Sequence, residues 1–196
     1  MILRRSPRFP ILFLLAIALG PLAAADIAFD RYHRPEELTA ALQELARANP
    51  GFARVHTLAK TPGGRDLALL EIGPETAKTA KTLPAVFVAA NMEGTVPISG
   101  EAALYLAKLV CDKADMRSDR TWYILACGNP DAAAVYFGKP QRRDARNARP
   151  RNDDQDDQVD EDGPDDLDGD SLITQMRAKD PEGAWIAVPG EPRLMK

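Results

Sequence analysis

Two apolar runs separated by one helical segment place the strongest constraint on what this chain can fold into. Leu83 to Ala90 and Thr121 to Cys127 are apolar on both alternating faces, which is how a strand inside a covered parallel sheet reads. Between them Ser99 is placed to cap a helix running to about Cys111. Strand, helix, strand makes a βαβ unit, whose crossover is right-handed. Upstream, Leu38, Ala41, Leu42 and Leu45 fall on one face of a helix predicted over Pro35 to Asn49. Pro35 suits its first turn, and Pro50-Gly51 stops it. Ala53 to Lys60 and Leu67 to Ile72 then read as strands joined by the turn Thr61-Pro62-Gly63-Gly64-Arg65-Asp66. His56 sits inside the first of these, as a packed or surface histidine.

Helix, hairpin and βαβ unit in that order predict an α/β domain with a mixed sheet. Ligands of such sheets gather beyond the carboxyl ends of the strands. Here those ends are Asn91 to Val96 and Gly128 to Ala132.

The ends of the chain bear on where it works. Arg4, Arg5 and Arg8 precede an apolar run from Ile11 to Leu19, then Gly20-Pro21 and Ala23-Ala24-Ala25. This is the layout of a signal peptide over residues 1–25, with cleavage before Asp26. The run is shorter than the roughly 20 apolar residues a spanning helix needs, so no membrane attachment is expected after cleavage. The expected location is secreted or periplasmic. The full chain carries a formal charge of −4, and losing those three arginines makes it more acidic still, which argues against nucleic acid as a partner. Two cysteines, Cys111 and Cys127, each end an apolar segment. They could pair in an oxidising compartment, but burial as free, small apolar side chains is the favoured reading.

After Phe137 the composition changes. Arg142, Arg143, Arg146, Arg149 and Arg151 crowd one short segment, and an acidic stretch follows over 152–173. Asn152, Asp154 and Asp156 put oxygens at positions 1, 3 and 5 of one loop; Asp166, Asp168 and Asp170 do so in a second. Val159 and Ile173 stand at position 8 of each. This is the opening half of an EF-hand-type calcium loop, in which a hard cation gathers several oxygens at once. Position 6 is Asp157 or Ser171 where glycine is usual, and position 12 is Gly163 or Arg177 where a carboxylate is usual. Calcium binding and a solvated acidic loop facing the arginines both remain open.

Taken in order, these pieces resemble the zinc carboxypeptidases of the carboxypeptidase A type. The helix and hairpin with Gly64-Arg65 look like that family's opening. Pro84 to Ala90, a loop, and Ser99-Gly100-Glu101-Ala102-Ala103-Leu104 look like its first core strand, zinc loop and helix. Thr121 to Cys127 followed by Gly128-Asn129-Pro130-Asp131 looks like its next strand and Asn-Pro-Asp-Gly turn, with Ala132 in place of the glycine. The stretch ending Ile173-Thr174-Gln175-Met176-Arg177 is similar to an insertion in some bacterial members. The resemblance implies a carboxypeptidase A-like mixed sheet with helices on both faces, in a domain over 26–196 that is incomplete at its C-terminus. It implies hydrolysis of C-terminal peptide bonds, a peptide or protein C-terminus as partner, and zinc as cofactor.

The family's zinc pair is His-x-x-Glu, with a third ligand that would lie beyond Lys196. Counting back from Glu101, the histidine position falls on Glu93 and the glutamate position on Val96. Arg143 and Arg146 match by position the arginine that polarises the scissile carbonyl. The Asn-Arg pair that grips the terminal carboxylate is replaced by Asp168-Gly169. The expectation is an exported, metallocarboxypeptidase-like chain, diverged or truncated and without a complete zinc site. The alternative is a non-catalytic exported module that binds calcium and peptide.

Overall fold

The computed structural model describes residues 27–74, 83–152, 154–160, 163, 166, 168–173 and 180–196. The predicted signal segment 1–25 and the tail 174–177 of the inserted stretch lie outside the described residues. Helix α1 (Pro35–Ala48) begins where proline occupies its first turn and ends at Asn49. The Glu37 carboxylate reaches back to accept the Arg34 backbone N–H at 2.7 Å, satisfying a donor the helix cannot. Strands β1 (Ala53–Lys60) and β2 (Asp66–Ile72) form an antiparallel hairpin. The βαβ unit is β3 (Ala85–Ala89), α2 (Pro97–Asp112), a short α3 (Ala114–Arg117) and β4 (Thr121–Leu125). Helix α4 (Pro130–Tyr136) follows, and β5 (Ala187–Val188) and β6 (Glu191–Met195) make a small separate hairpin.

The main sheet has the order β1-β2-β4-β3. β3 and β4 pair in parallel, and the other pairs are antiparallel, so the sheet is mixed. Register sets one apolar face: Val55, Leu70, Ile124 and Val88 form one row, and Ala53, Ile72, Trp122 and Val86 the next. Against this face lie Leu38, Leu42 and Leu45 of α1 and Ala103, Leu104, Ala107 and Val110 of α2, in one buried cluster. The C-terminus of α2 is closed by buried Arg117, which donates to the carbonyls of Val110 and Cys111 at 3.2 and 3.1 Å. Its guanidinium stacks over Phe52, 3.7 Å from the ring centroid.

Two expectations change, and the favoured reading of the cysteines holds. β3 is an edge strand of the described sheet, with Ala85, Phe87 and Ala89 exposed and Phe87 at 62%. An apolar run records chemistry, not coverage. Helix α2 starts two residues before Ser99, because Pro97 takes its first turn. The Ser99 hydroxyl instead donates to the Val96 carbonyl and accepts the Asn91 N–H. Both cysteines are free, Cys111 buried and Cys127 partly so, and burial pushes each thiol up to about 11, which keeps them protonated and unreactive.

Candidate functional site

The two loops at the carboxyl ends of β3 and β4 meet, as the sheet topology requires. Gly128 N–H donates to the Ala90 carbonyl at 2.9 Å, and Asn129 N–H to the Asn91 carbonyl at 3.2 Å. Asn91 is buried in a left-handed conformation (φ 47°), which asparagine tolerates better than most residues. Its side-chain oxygen accepts the Val96 N–H at 3.1 Å and closes the loop. Gly94 (φ 73°) packs so tightly on α4 that a Cβ there would lie 2.4 Å from Ala133 N.

A buried carboxylate joins these loops to the hairpin. Asp131 Oδ1 accepts from Thr61 Oγ1 at 2.7 Å and Arg65 Nη1 at 3.2 Å. Its Oδ2 accepts from the Gly63 and Ala148 N–H groups at 3.1 and 3.2 Å. Burial pushes this carboxyl up, but the bonds from Thr61, Ala148, Gly63 and Arg65 together hold it below the usual carboxylate range. Asn129 caps α4 through Ala132 N–H and donates from Nδ2 to the Ala145 carbonyl at 2.8 Å. The arginine segment is thus strapped to the cleft at both ends of Ala145–Ala148. A cavity of about 620 Å³ lies there, lined by Asn129, Arg146, Asn147, Arg149, Arg151 and Asn152.

Of the residues predicted from sequence, Arg146 lines this cavity, and its guanidinium pairs with Asp144 at 2.9 Å. Arg143 is exposed. Glu93, on the loop that the resemblance gives to zinc, is exposed, and Val96 of the same loop is 41% exposed. Asp166, Asp168 and Asp170 come together, each offering an oxygen within 4.8 Å of the others, and Asp166 Oδ1 is buried without a hydrogen-bond partner. Asn152, Asp154 and Asp156 turn inward on their own backbone: Asn152 Oδ1 accepts from Gln155 N–H, and Asp154 Oδ1 from Asp156 N–H. The acidic stretch is tied down where Gln141 N–H meets the Ser171 carbonyl at 2.8 Å and Ile173 N–H meets the Gln141 carbonyl at 3.2 Å.

Sequence reasoning missed two pairings. His33 Nδ1 lies 2.9 Å from Glu101 Oε2, with side chains only 11% and 10% exposed, and His33 N–H donates to Glu101 Oε1 at 2.6 Å. Asp131 and Thr61 were legible only as parts of turns. Partners nearly seventy residues apart leave no local pattern.

A mixed α/β sheet whose β3 and β4 loops meet beside an arginine-lined cavity is the architecture, and the chain matches the zinc carboxypeptidase family over residues 38–167. The chain belongs to that family. It is 25% identical over 138 residues to Carboxypeptidase E of Caenorhabditis elegans, covering 66% of this chain and 29% of that protein. To human Carboxypeptidase D it is 34% identical over 105 residues, covering 43% of this chain and 8% of that one. The crystal structure of carboxypeptidase A from Helicoverpa armigera superposes with a TM-score of 0.53 at 31% identity, over 62% of this chain and 30% of that one. The chain spans less than a third of the length of these relatives.

The family implies zinc, and the loop's donor set does not fit it. Valine has no donor atom, so Val96 cannot serve as a ligand. Neither histidine replaces the loss: His33 is held by Glu101, and His56 Nε2 lies 2.6 Å from Glu71 Oε2 within the β-hairpin. Among the described residues, the one group of three metal-binding side chains is Asp166, Asp168 and Asp170. Such an all-oxygen set suits a hard cation.

Proposed function

We propose that this chain is an exported carboxypeptidase-like protein that engages the C-terminal segment of a peptide without zinc-dependent hydrolysis through the Asn91–Val96 loop. One sequence feature carries the reading. Counting back from Glu101, the resemblance puts Glu93 and Val96 where the family's histidine and glutamate would bind the metal. The arginine-lined cavity beside Asn129 supports recognition of a carboxylate, since guanidinium groups offer paired donors to it. Arg146, matched by position to the arginine that polarises the scissile carbonyl, is assigned here to the carboxylate because it lines the cavity; Arg143 is exposed and is not among the lining residues.

The test is zinc content by mass spectrometry after dialysis, together with calorimetric binding of one peptide as free acid and as C-terminal amide. The expected result is substoichiometric zinc, no cleavage, and binding of the free acid alone. Stoichiometric zinc with chelator-sensitive cleavage would overturn the non-hydrolytic reading, and equal affinity for acid and amide would overturn carboxylate recognition. Export is tested by N-terminal sequencing of the exported product, expected to begin at Asp26.

A second reading concerns the acidic insertion. The convergence of Asp166, Asp168 and Asp170, with Asp166 Oδ1 unpaired and buried, favours calcium there over a merely solvated loop. Calcium is expected to raise the thermal midpoint of the chain and not that of D168N. Equal response of the two would remove the assignment.

A further inference from the structure

We infer that Asp131 is a positioning residue: it holds the arginine segment in its binding geometry through the Ala148 amide, without itself touching peptide. The inference rests on the carboxylate-recognition reading above and adds to it the device that sets the affinity.

Between Asp144 and Pro150 the arginine segment has little of its own to fix it, although Arg151 beyond is bonded through its N–H and carbonyl to Asp160. Residues 145–149 belong to no helix or strand and are exposed. Within the segment, Arg146 N–H turns back on Asp144 Oδ1 at 3.0 Å and Arg149 N–H on Asn147 Oδ1 at 3.1 Å. These are local turns that shape the loop but do not anchor it. Two straps come from the rigid β4–α4 turn. Asn129 Nδ2 holds the Ala145 carbonyl at 2.8 Å, and Asp131 Oδ2 holds the Ala148 amide at 3.2 Å. Arg146 and Asn147 lie between the two anchor points.

Asp131 is suited to be the stiffer strap. Its side chain is 1% exposed, and its other bonds fix it to the hairpin turn through Thr61, Gly63 and Arg65. Gly63 allows this approach because a Cβ there would lie 2.4 Å from Asp131 Oδ1. The carboxylate is acceptor-only and faces four donors. An asparagine would turn an amide NH2 toward two of them, so D131N breaks the constellation at nearly constant volume. T61V removes one donor on the Oδ1 side, together with the acceptor of the Arg65 N–H, and takes nothing from the Oδ2 side that holds Ala148. A purely structural role would make the two variants alike, whereas a positioning role separates them.

The experiment compares wild type, D131N and T61V as full chains in three readouts. Limited trypsin digestion followed by mass spectrometry reports cleavage after Arg146, between the two anchor points. Hydrogen exchange reports the Ala148 amide. Calorimetry reports affinity for a free-acid peptide. Expected are a tenfold or greater gain in cleavage after Arg146 and a tenfold or greater loss of affinity in D131N, with both within about threefold of wild type in T61V. Unchanged cleavage in folded D131N overturns the inference, as does a T61V profile matching D131N. If D131N fails to fold, the wild type alone decides: an Ala148 amide that exchanges as fast as unbonded loop amides overturns it, and slow exchange supports it. A wild type with a protected Ala148 amide but no free-acid affinity overturns the carboxylate-recognition reading, a failure distinct from loss of the strap.

Discussion

Gly94 and Gly64 offer a paired test of how tightly the two cleft loops are joined. Both have positive φ, 73° and 78°. An alanine in this region costs about 1–2 kcal/mol from the Cβ–carbonyl clash. At Gly64 that is the whole cost, because nothing lies within 4 Å of the added Cβ. At Gly94 the Cβ would sit 2.4 Å from Ala133 N and 2.5 Å from Ala132 Cβ. Neither atom is the end of a flexible side chain, so relief requires moving α4 away from the loop. Overpacking of this kind adds roughly 1–3 kcal/mol, giving about 2–5 kcal/mol for G94A against about 1–2 for G64A. Equilibrium urea unfolding measures both, with the midpoint shifting at constant slope. If the two variants fall within about 0.5 kcal/mol of each other, close of the order that separates independent surface changes, the loops do not abut as described.

Three further outcomes follow from the packing, the carboxylates and the loop. L70A empties the centre of the core face, where Leu70 is 0% exposed, and is expected to cost about 2–5 kcal/mol. F87S, on the exposed edge strand, is expected to stay within about 0.5 kcal/mol of wild type; a core-sized loss by chemical denaturation would show that face to be covered. Acid weakens the chain through carboxylates held below their ordinary range. Glu37, bonded first by the Arg31 side chain and then by Arg34 N–H, is lowered from 4.5 to about 2. A lowered folded value means its contribution is present above pH 4.5 and lost as pH falls toward 2. Glu37 is more than a third exposed, so solvent screening keeps that contribution small. E37Q is expected to flatten the urea midpoint across that window, and an unaltered slope would remove the assignment. Asp131 acts in the same direction. Finally, E93H with V96E rebuilds the family's His-x-x-Glu pair, and its zinc affinity, measured against a fluorescent chelator, is expected to rise at least tenfold. No gain would mean that these positions do not face a common point.

What the sequence made legible was local and periodic. β1 runs over Ala53–Lys60 as its alternation and flanking turns predict, and α1 stops one residue before the predicted end. The mixed sheet follows from a hairpin feeding a βαβ unit. Coverage was not legible, because Ala-Val-Phe-Val-Ala reads the same whether or not something packs on Phe87. Nor were the long-range polar contacts. His33 meets Glu101 across 68 residues, and Asp131 meets Thr61 across 70; each partner alone looks like an ordinary loop or helix residue. Ser99 misled for a subtler reason. It has the chemistry of an N-cap, but Pro97 fixes the helix start first, which leaves the hydroxyl free to bridge Asn91 and Val96.

The zinc positions can change without disturbing the cleft because fold and metal chemistry are carried by different atoms of one loop. Its shape depends on Asn91, whose amide, carbonyl and side-chain oxygen engage Ser99, Gly94, Asn129 and Val96, and on Gly94, which seats it against α4. Every bond on this list that reaches residue 96 uses its backbone, and none uses the side chain of residue 93. A valine at 96 therefore costs the loop nothing that holds it in place, while removing any ligand there. Under the proposed reading, family membership, read from the scaffold, and hydrolytic chemistry, read from the site, are separable. The arginine segment is built the other way. There Asp131 and Asn129 give the scaffold's own hydrogen bonds to the stretch that carries Arg146, so the proposed carboxylate-binding segment cannot drift without breaking bonds to the start of α4. That asymmetry is the physical support for the proposal that this face serves peptide recognition and not zinc hydrolysis.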